Sequence, residues 1–159
     1  MIVPIIIGSG SDLDHAQAIA RALAQFGIPA EIRVASAHKT LEHLISVLEE
    51  YERRAEPRVY ITVAGRSNAL SGAVDARVTA PVIACPPYSD RFGGADIYSS
   101  IRLPSGVAPG LVLDPKGAAL MAAKILALGD TELEERVRHF QAETRAQVLE
   151  ADRRVQSGT

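Results

Sequence analysis

The sequence predicts an α/β protein, an open parallel sheet with helices on both faces. Three observations carry the prediction. Apolar runs of strand length alternate with helical stretches along the chain. The first run, "IVPIII" (2–7), is continuous and β-branched, as in a strand buried on both faces. The most polar, Gly/Ser-rich segments fall directly after the strands, where open α/β sheets bind ligands.

The elements follow in order. After the first strand, "DLDHAQAIARALAQF" (12–26) is a helix with Leu13, Ala16, Ala20, Leu23 and Ala24 on one face, stopped by Gly27. "AEIRVA" (30–35) is the second strand. "LEHLISVLEEYERR" (41–54) is the second helix, with Thr40 as N-cap and Leu41, Leu44, Ile45 and Leu48 as its stripe. "RVYITVA" (58–64) is the third strand, and "NALSGAVDARV" (68–78) a short helix of small residues. "APVIACP" (80–86) is the fourth strand. The irregular stretch 87–106 follows, with a short helix near 95–102. "GLVLD" (110–114) is the fifth strand. Asp114 and Pro115 then read as an N-cap and a first-turn proline opening a helix over 116–128. The chain ends in a long charged helix (131–159) with a capping box, Thr131 and Glu134. Its apolar positions are Leu133, Val137, Phe140, Val148, Ala151 and Val155. So thin a stripe suits packing on a neighbouring subunit as well as on its own domain. The division expected is 1–130 for the α/β domain and 131–159 for a helical extension packing in an oligomer.

Composition excludes several classes. The 159 residues fit one domain with a sizeable core. Cys85 is the only cysteine, so neither a disulfide framework nor a Cys-based zinc site is available within one chain. It reads as a small buried hydrophobe in a reducing, cytoplasmic setting. Net charge is −2 with Lys and Arg dispersed, which argues against nucleic acid as a partner. The apolar N-terminus lacks a basic flank and stops after seven residues, so neither a signal peptide nor a membrane span is expected.

The candidate site collects "GSGSD" (8–12), "SAHK" (36–39), "GRSN" (65–68) and "PPYSD" (86–90). In "GSGSD", Gly8 and Gly10 let backbone approach a ligand, and Ser9 and Ser11 add hydroxyls at a helix N-terminus. That combination suits a phosphate. Capping of the helix by Ser11 or Asp12 is the plainer use, and both can hold together. Asp12 would repel a phosphate, so a neutral donor such as a ribose diol is its natural partner. Histidine is the side-chain type best suited to proton transfer near neutral pH, so His38 is the candidate acid–base residue, or alternatively it only caps a loop. Lys39 adds positive charge. His15, His43 and His139 lie among charged helical residues and are expected to be solvated. No spacing points to a metal.

With these segments in hand, the sequence resembles a known family. "GSGSD", "SAHKT", "AGRSNALSG", "ACPP" and "DIYSSIRLPSG" occur in this order and spacing in the aminoimidazole ribonucleotide carboxylases of purine biosynthesis, the PurE family. The resemblance spans residues 2 to about 128. It implies a three-layer α/β/α sandwich with a flavodoxin-like sheet, assembled as a homotetramer or homo-octamer. The mutase class of that family, which rearranges an N-carboxylated ribonucleotide, typically reads "SAHRTP" and "AGGAAHLPG". Lys39, Leu41 and the run Arg66-Ser67-Asn68 depart from that pattern and resemble the second class instead. That class joins 5-aminoimidazole ribonucleotide (AIR) to carbon dioxide at C4 and is also found in animal bifunctional enzymes. The resemblance implies that Gly8, Ser9 and Ser11, helped by Lys39, hold the phosphate. It places Asp12 on the ribose, Ser36 and His38 at the aminoimidazole ring, and Gly65, Arg66, Ser67 and Asn68 around the carboxyl group. His38 is the expected acid–base residue, with no metal, biotin or ATP. A nucleotide-binding module of the same fold without turnover is the rival from another class, and it has no use for a second anion pocket.

Overall fold

A computed structural model describes residues 1–158. Five parallel strands form one sheet in the order β2-β1-β3-β4-β5. They are β1 (Val3–Ile7), β2 (Ala30–Val34), β3 (Tyr60–Val63), β4 (Val82–Ala84) and β5 (Gly110–Leu111). The helices are α1 (Leu13–Ala24), α2 (Leu41–Glu52), α3 (Ala69–Asp75), α4 (Tyr98–Ile101), α5 (Pro115–Ala127) and α6 (Thr131–Ser157). This is the flavodoxin-like strand order, in which the chain reverses direction across the sheet between β1 and β3.

Strand β1 shows how the two cores form. Val3, Ile5 and Ile7 pack into one, with Ile19 and Leu23 of α1, Ala119 and Ala122 of α5, and Leu133 and Val137 of α6. Ile2 and Ile6 point to the opposite face, against Leu44, Leu48 and Tyr51 of α2 and Leu70 and Val74 of α3. Period-two alternation thus feeds both layers of helices. Pro4 is tolerated in this central strand because the β1–β3 ladder begins one residue later, at Ile5 opposite Ile61.

Some expected details shift. The buried face of α1 is Ala16, Ile19, Ala22 and Leu23, and Leu13 stays exposed. In α2 the buried set is Leu44, Val47, Leu48 and Tyr51, and Leu41 is exposed. Thr40 precedes α2 but makes no side-chain cap. Asp114 does cap α5, accepting from the Gly117 N–H at 2.7 Å, with Pro115 in the first turn. The expected box at Thr131 and Glu134 is replaced by Asp130, whose carboxylate accepts from the Leu133 N–H at 2.8 Å. Asp130 has the extended backbone that a cap needs, and Glu134 pairs with Arg138 instead.

The start of α6 belongs to the core. Leu133 and Val137 are buried, Phe140 meets the Phe26 ring edge-on at 5.1 Å, and Arg136 donates to the Phe26 carbonyl. From residue 142 onward the helix is almost wholly exposed, Val148, Leu149 and Val155 included.

Charged and aromatic groups gather at the N-terminal ends of the strands. The buried rings of Tyr51 and Tyr60 meet edge-on at 6.2 Å; their hydroxyls donate to Glu31 at 2.8 Å and Glu52 at 2.9 Å. Arg58 is bound to the Tyr51 and Arg54 carbonyls. Among the described residues, no helix is long and apolar enough to cross a membrane.

Candidate active site

A cleft of about 610 Å³ opens at the carboxyl ends of the strands, at the point where the strand order reverses. Every predicted site residue lines it except Asn68: Gly8, Ser9, Ser11, Asp12, Ser36, His38, Lys39, Gly65, Arg66 and Ser67 all face it or border it.

The first wall follows β1. Gly8 is closely packed, since a Cβ there would meet the Ala64 Cβ at 3.3 Å. Gly10 instead faces open space. Residues Gly10–Asp12 form a 3₁₀ turn, and Ser9 and Ser11 face each other across it with their hydroxyl oxygens 3.0 Å apart. Asp12 sits at the start of α1 but makes no capping bond with its side chain. Partial burial raises its pKa; the Ser11 hydrogen bond, His15 and Arg66 act in the opposite direction. The turn therefore offers two hydroxyls, a helix N-terminus and one carboxylate set beside them.

The second wall follows β2. Thr40 spends its hydroxyl on the loop rather than on α2. It accepts from the Ser36 N–H at 2.9 Å, while Ser36 accepts from the Lys39 N–H at 3.2 Å. This closed turn presents His38 and Lys39 to solvent and to the cleft.

The third wall follows β3. Arg66 has φ +58°, a left-handed conformation that is strained for a side-chain-bearing residue. The strain is held by α4. The Ser99 hydroxyl accepts from the Asn68 N–H at 2.9 Å and lies 3.1 Å from the Arg66 carbonyl. Asn68 is the correction to the expected site. Its side chain is buried and turned away from the cleft, donating to the Ser100 hydroxyl at 2.9 Å and capping α3 by accepting from the Ser71 N–H at 3.1 Å. It shapes the loop and does not line it. The Arg66 side chain is exposed on the cleft, close enough to Asp12 for the two charges to interact.

A smaller apolar chamber of about 120 Å³ adjoins the cleft, sharing Ala64, Gly65, Arg66, Pro87 and Ser89 with it. Ile97 and Leu113 are among its other walls.

Sequence reasoning missed three contributors. Ser99 and Ser100 sit in a stretch whose importance was visible only through the family resemblance. An Asn three residues before Ser71, at the head of a short helix, is a legible N-cap signal. His15, expected in solvent, is half-buried with Nε2 at 3.4 Å from the Cys85 sulfur. His43 and His139 are exposed as expected, the latter beside Glu143.

Comparison with known proteins identifies the family. The family model described as AIR carboxylase matches residues 2–147. A phosphoribosylaminoimidazole carboxylase of Treponema denticola is 54% identical over 151 residues, covering 95% of each chain. One from Archaeoglobus fulgidus is 59% identical over 148 residues, covering 93% of this chain and 81% of that protein. The human bifunctional carboxylase/succinocarboxamide synthetase is 39% identical, and the match covers 96% of this chain and 36% of that protein. The crystal structure of Treponema denticola PurE superposes with a TM-score of 0.95 at 53% identity, covering 96% of this chain and 97% of that one.

Proposed function

The chain belongs to the AIR carboxylase family, and from that premise we propose that it carboxylates AIR with dissolved carbon dioxide at C4, reversibly, in purine biosynthesis. It is a carbon–carbon lyase in the reverse direction. The observation that carries the reading is the Arg66 loop. A strained, clamped turn puts a guanidinium, a hydroxyl and an apolar chamber opposite His38 across one cleft. The carboxylase relatives, including the animal bifunctional one, support the choice of carbon dioxide over an N-carboxylated donor.

The steps follow from the groups present. Ser9, Ser11 and the N-terminus of α1 take the phosphate, with Lys39 adding charge from the facing wall. Asp12 accepts from the ribose hydroxyls. The aminoimidazole ring then lies between the Ser36–Lys39 turn and the Gly65–Ser67 loop. C4 of the ring is enamine-like, and its electron pair attacks the carbon of carbon dioxide. Holding the two together away from water is the larger part of the task. The forming carboxylate is met by Arg66 and Ser67. His38 removes the C4 proton, which restores aromaticity, and returns it in the reverse direction. No cofactor enters this scheme. The exposed length of α6 packs against other copies in a homotetramer or homo-octamer in the cytoplasm.

The test supplies isotopically labelled bicarbonate, equilibrated by carbonic anhydrase, with unlabelled AIR and no ATP. Label is expected in the C4 carboxylate. An unlabelled reaction together with rapid conversion of N-carboxylated AIR would assign the chain to the mutase class.

A further inference from the structure

Behind the cleft lies a polar pair that the proposed reaction does not use. His15 stands on the first turn of α1, three residues after Asp12, with Nε2 3.4 Å from Cys85 Sγ. Cys85 directly follows β4 and is fully buried. Its sulfur also lies 3.7 Å from the Leu113 carbonyl. Pro86 and Pro87 come next in the chain. Pro87 borders both the cleft and the apolar chamber, and Leu113 borders the chamber. The pair therefore joins the helix that presents Asp12 to the strand end that presents the carboxyl-side wall.

Burial disfavours the charged form of both partners. Burial lowers the His15 pKa below the ordinary imidazole value; a hydrogen bond with the Cys85 backbone and the Asp12 and Asp114 carboxylates only partly oppose it. Burial pushes the Cys85 thiol up to about 12, with Asp114 adding to the shift. No group of three or more His, Cys, Asp or Glu among the described residues is placed to hold a metal ion. A contact of 3.4 Å between two pieces of scaffold, one of them fully buried, can set a distance.

We propose that His15 is a positioning residue: its contact with Cys85 sets the spacing between the Asp12 turn and the Pro86–Pro87 wall. A ribonucleotide anchored at one end then presents C4 in register with carbon dioxide at the other. The inference rests on the carboxylation reading above. Small errors in such a spacing are expensive, since a displacement of about 1 Å between reacting groups costs on the order of 10²-fold.

The test compares the full-length wild type with His15→Leu, His15→Gln, Cys85→Ala and the double variant His15→Leu/Cys85→Ala. AIR turnover is measured at saturating carbon dioxide, and AIR affinity by calorimetry. His15→Leu is expected to lower kcat roughly tenfold while the AIR Kd stays within about threefold, because the anchoring turn is intact. His15→Gln, which keeps a polar tip, recovers most of the loss. The double variant is no worse than the worse single, because one contact has been removed twice. A folded His15→Leu with wild-type kcat overturns the proposal, as do losses that multiply in the double variant or a Gln variant no better than Leu. If His15→Leu does not fold, Cys85→Ala carries the same kcat-against-Kd expectation alone. A wild type without AIR turnover sinks the carboxylation reading itself, and so the two failures are distinct.

Discussion

The side-chain amide of Asn68 donates to the Ser100 hydroxyl across 2.9 Å, with both residues shielded from solvent. The same Asn68 caps α3, so a single residue fastens the Arg66 loop to α4 on one side and starts a helix on the other. Asn68→Ala removes the cap, worth about 1 kcal/mol, and strips the buried Ser100 hydroxyl of its donor, worth about 1–3 kcal/mol. The melting temperature is expected to fall by roughly 5–10 °C. Ser100→Ala costs part of this, and the double variant loses less than the sum of the two singles. Scanning calorimetry on the three variants checks it; strict additivity would mean that the pair is not a unit.

Arg66 separates charge from conformation. Arg66→Gly and Arg66→Ala both remove the guanidinium, but only glycine is at ease at φ +58°. The Gly variant is expected to be the more stable by about 1 kcal/mol in urea titrations. Both lose turnover by about 10²-fold if Arg66 meets the forming carboxylate, in line with the loss of one oxyanion donor. Equal stability of the two variants would show that the strain is not real.

For His38, the substitution to Asn keeps a hydrogen-bonding tip but removes the titratable ring. Turnover is expected to fall about 10²-fold or more, the usual worth of acid–base catalysis, with AIR affinity nearly unchanged. Near-normal turnover would leave His38 as a turn residue only.

The tyrosine pair at the opposite end of the sheet sets an alkaline limit. Burial, then the hydrogen bond to Glu31, raises Tyr51 to about 12; burial and Glu52 raise Tyr60 as well. Both groups hold their protons more tightly folded than unfolded. Their contribution is complete below pH 10, the unfolded value, and is lost as pH rises through the folded value. Urea midpoints should fall steeply above pH 10. Tyr51→Phe should be less stable than wild type at pH 8, and the gap should narrow by pH 11. A gap that widens with pH would reverse the sign and the argument.

Truncation distinguishes the two parts of α6. Ending the chain after residue 141 keeps Leu133, Val137 and Phe140 in place, so the far-ultraviolet melt should survive while sedimentation reports a smaller assembly. Ending it after residue 130 uncovers the α1–α5 face and should abolish cooperative unfolding. An unchanged assembly after the shorter cut would remove α6 from the intersubunit contact.

Much of this molecule was legible before any coordinates. A β-branched run such as 2–7 has few alternatives to a buried strand, and Asp114-Pro115 announces a helix because each residue satisfies a separate requirement of a first turn. The site loops were legible because strand ends collect them by topology. What failed was orientation. Ala, Ile and Leu recur so densely in 13–24 that several helical faces are nearly equivalent, and the choice falls to the layer packed against them. Asn68 reads as a pocket residue because its neighbours Arg66 and Ser67 line the cleft; nothing local says that α4, some thirty residues later, claims its amide. His15 was misplaced for the same reason, since its partner Cys85 is seventy residues away.

The strand order carries a kinetic consequence. The walls of the cleft come from residues 8–12, 36–39, 64–70 and 87–89, so no two neighbouring walls are close in the chain. The reversal between β1 and β3 exists only after β3 has docked beside β1, on the edge that β2 leaves open. Parallel pairings over such separations form late, because the loop entropy is spent before the contacts are made. Helices α1 and α2 need no such closure to begin forming. On dilution from denaturant, the helical signal should therefore return ahead of activity. A nascent chain that has not yet exposed β3 holds the phosphate turn and the His38 turn with nothing to close them into a site.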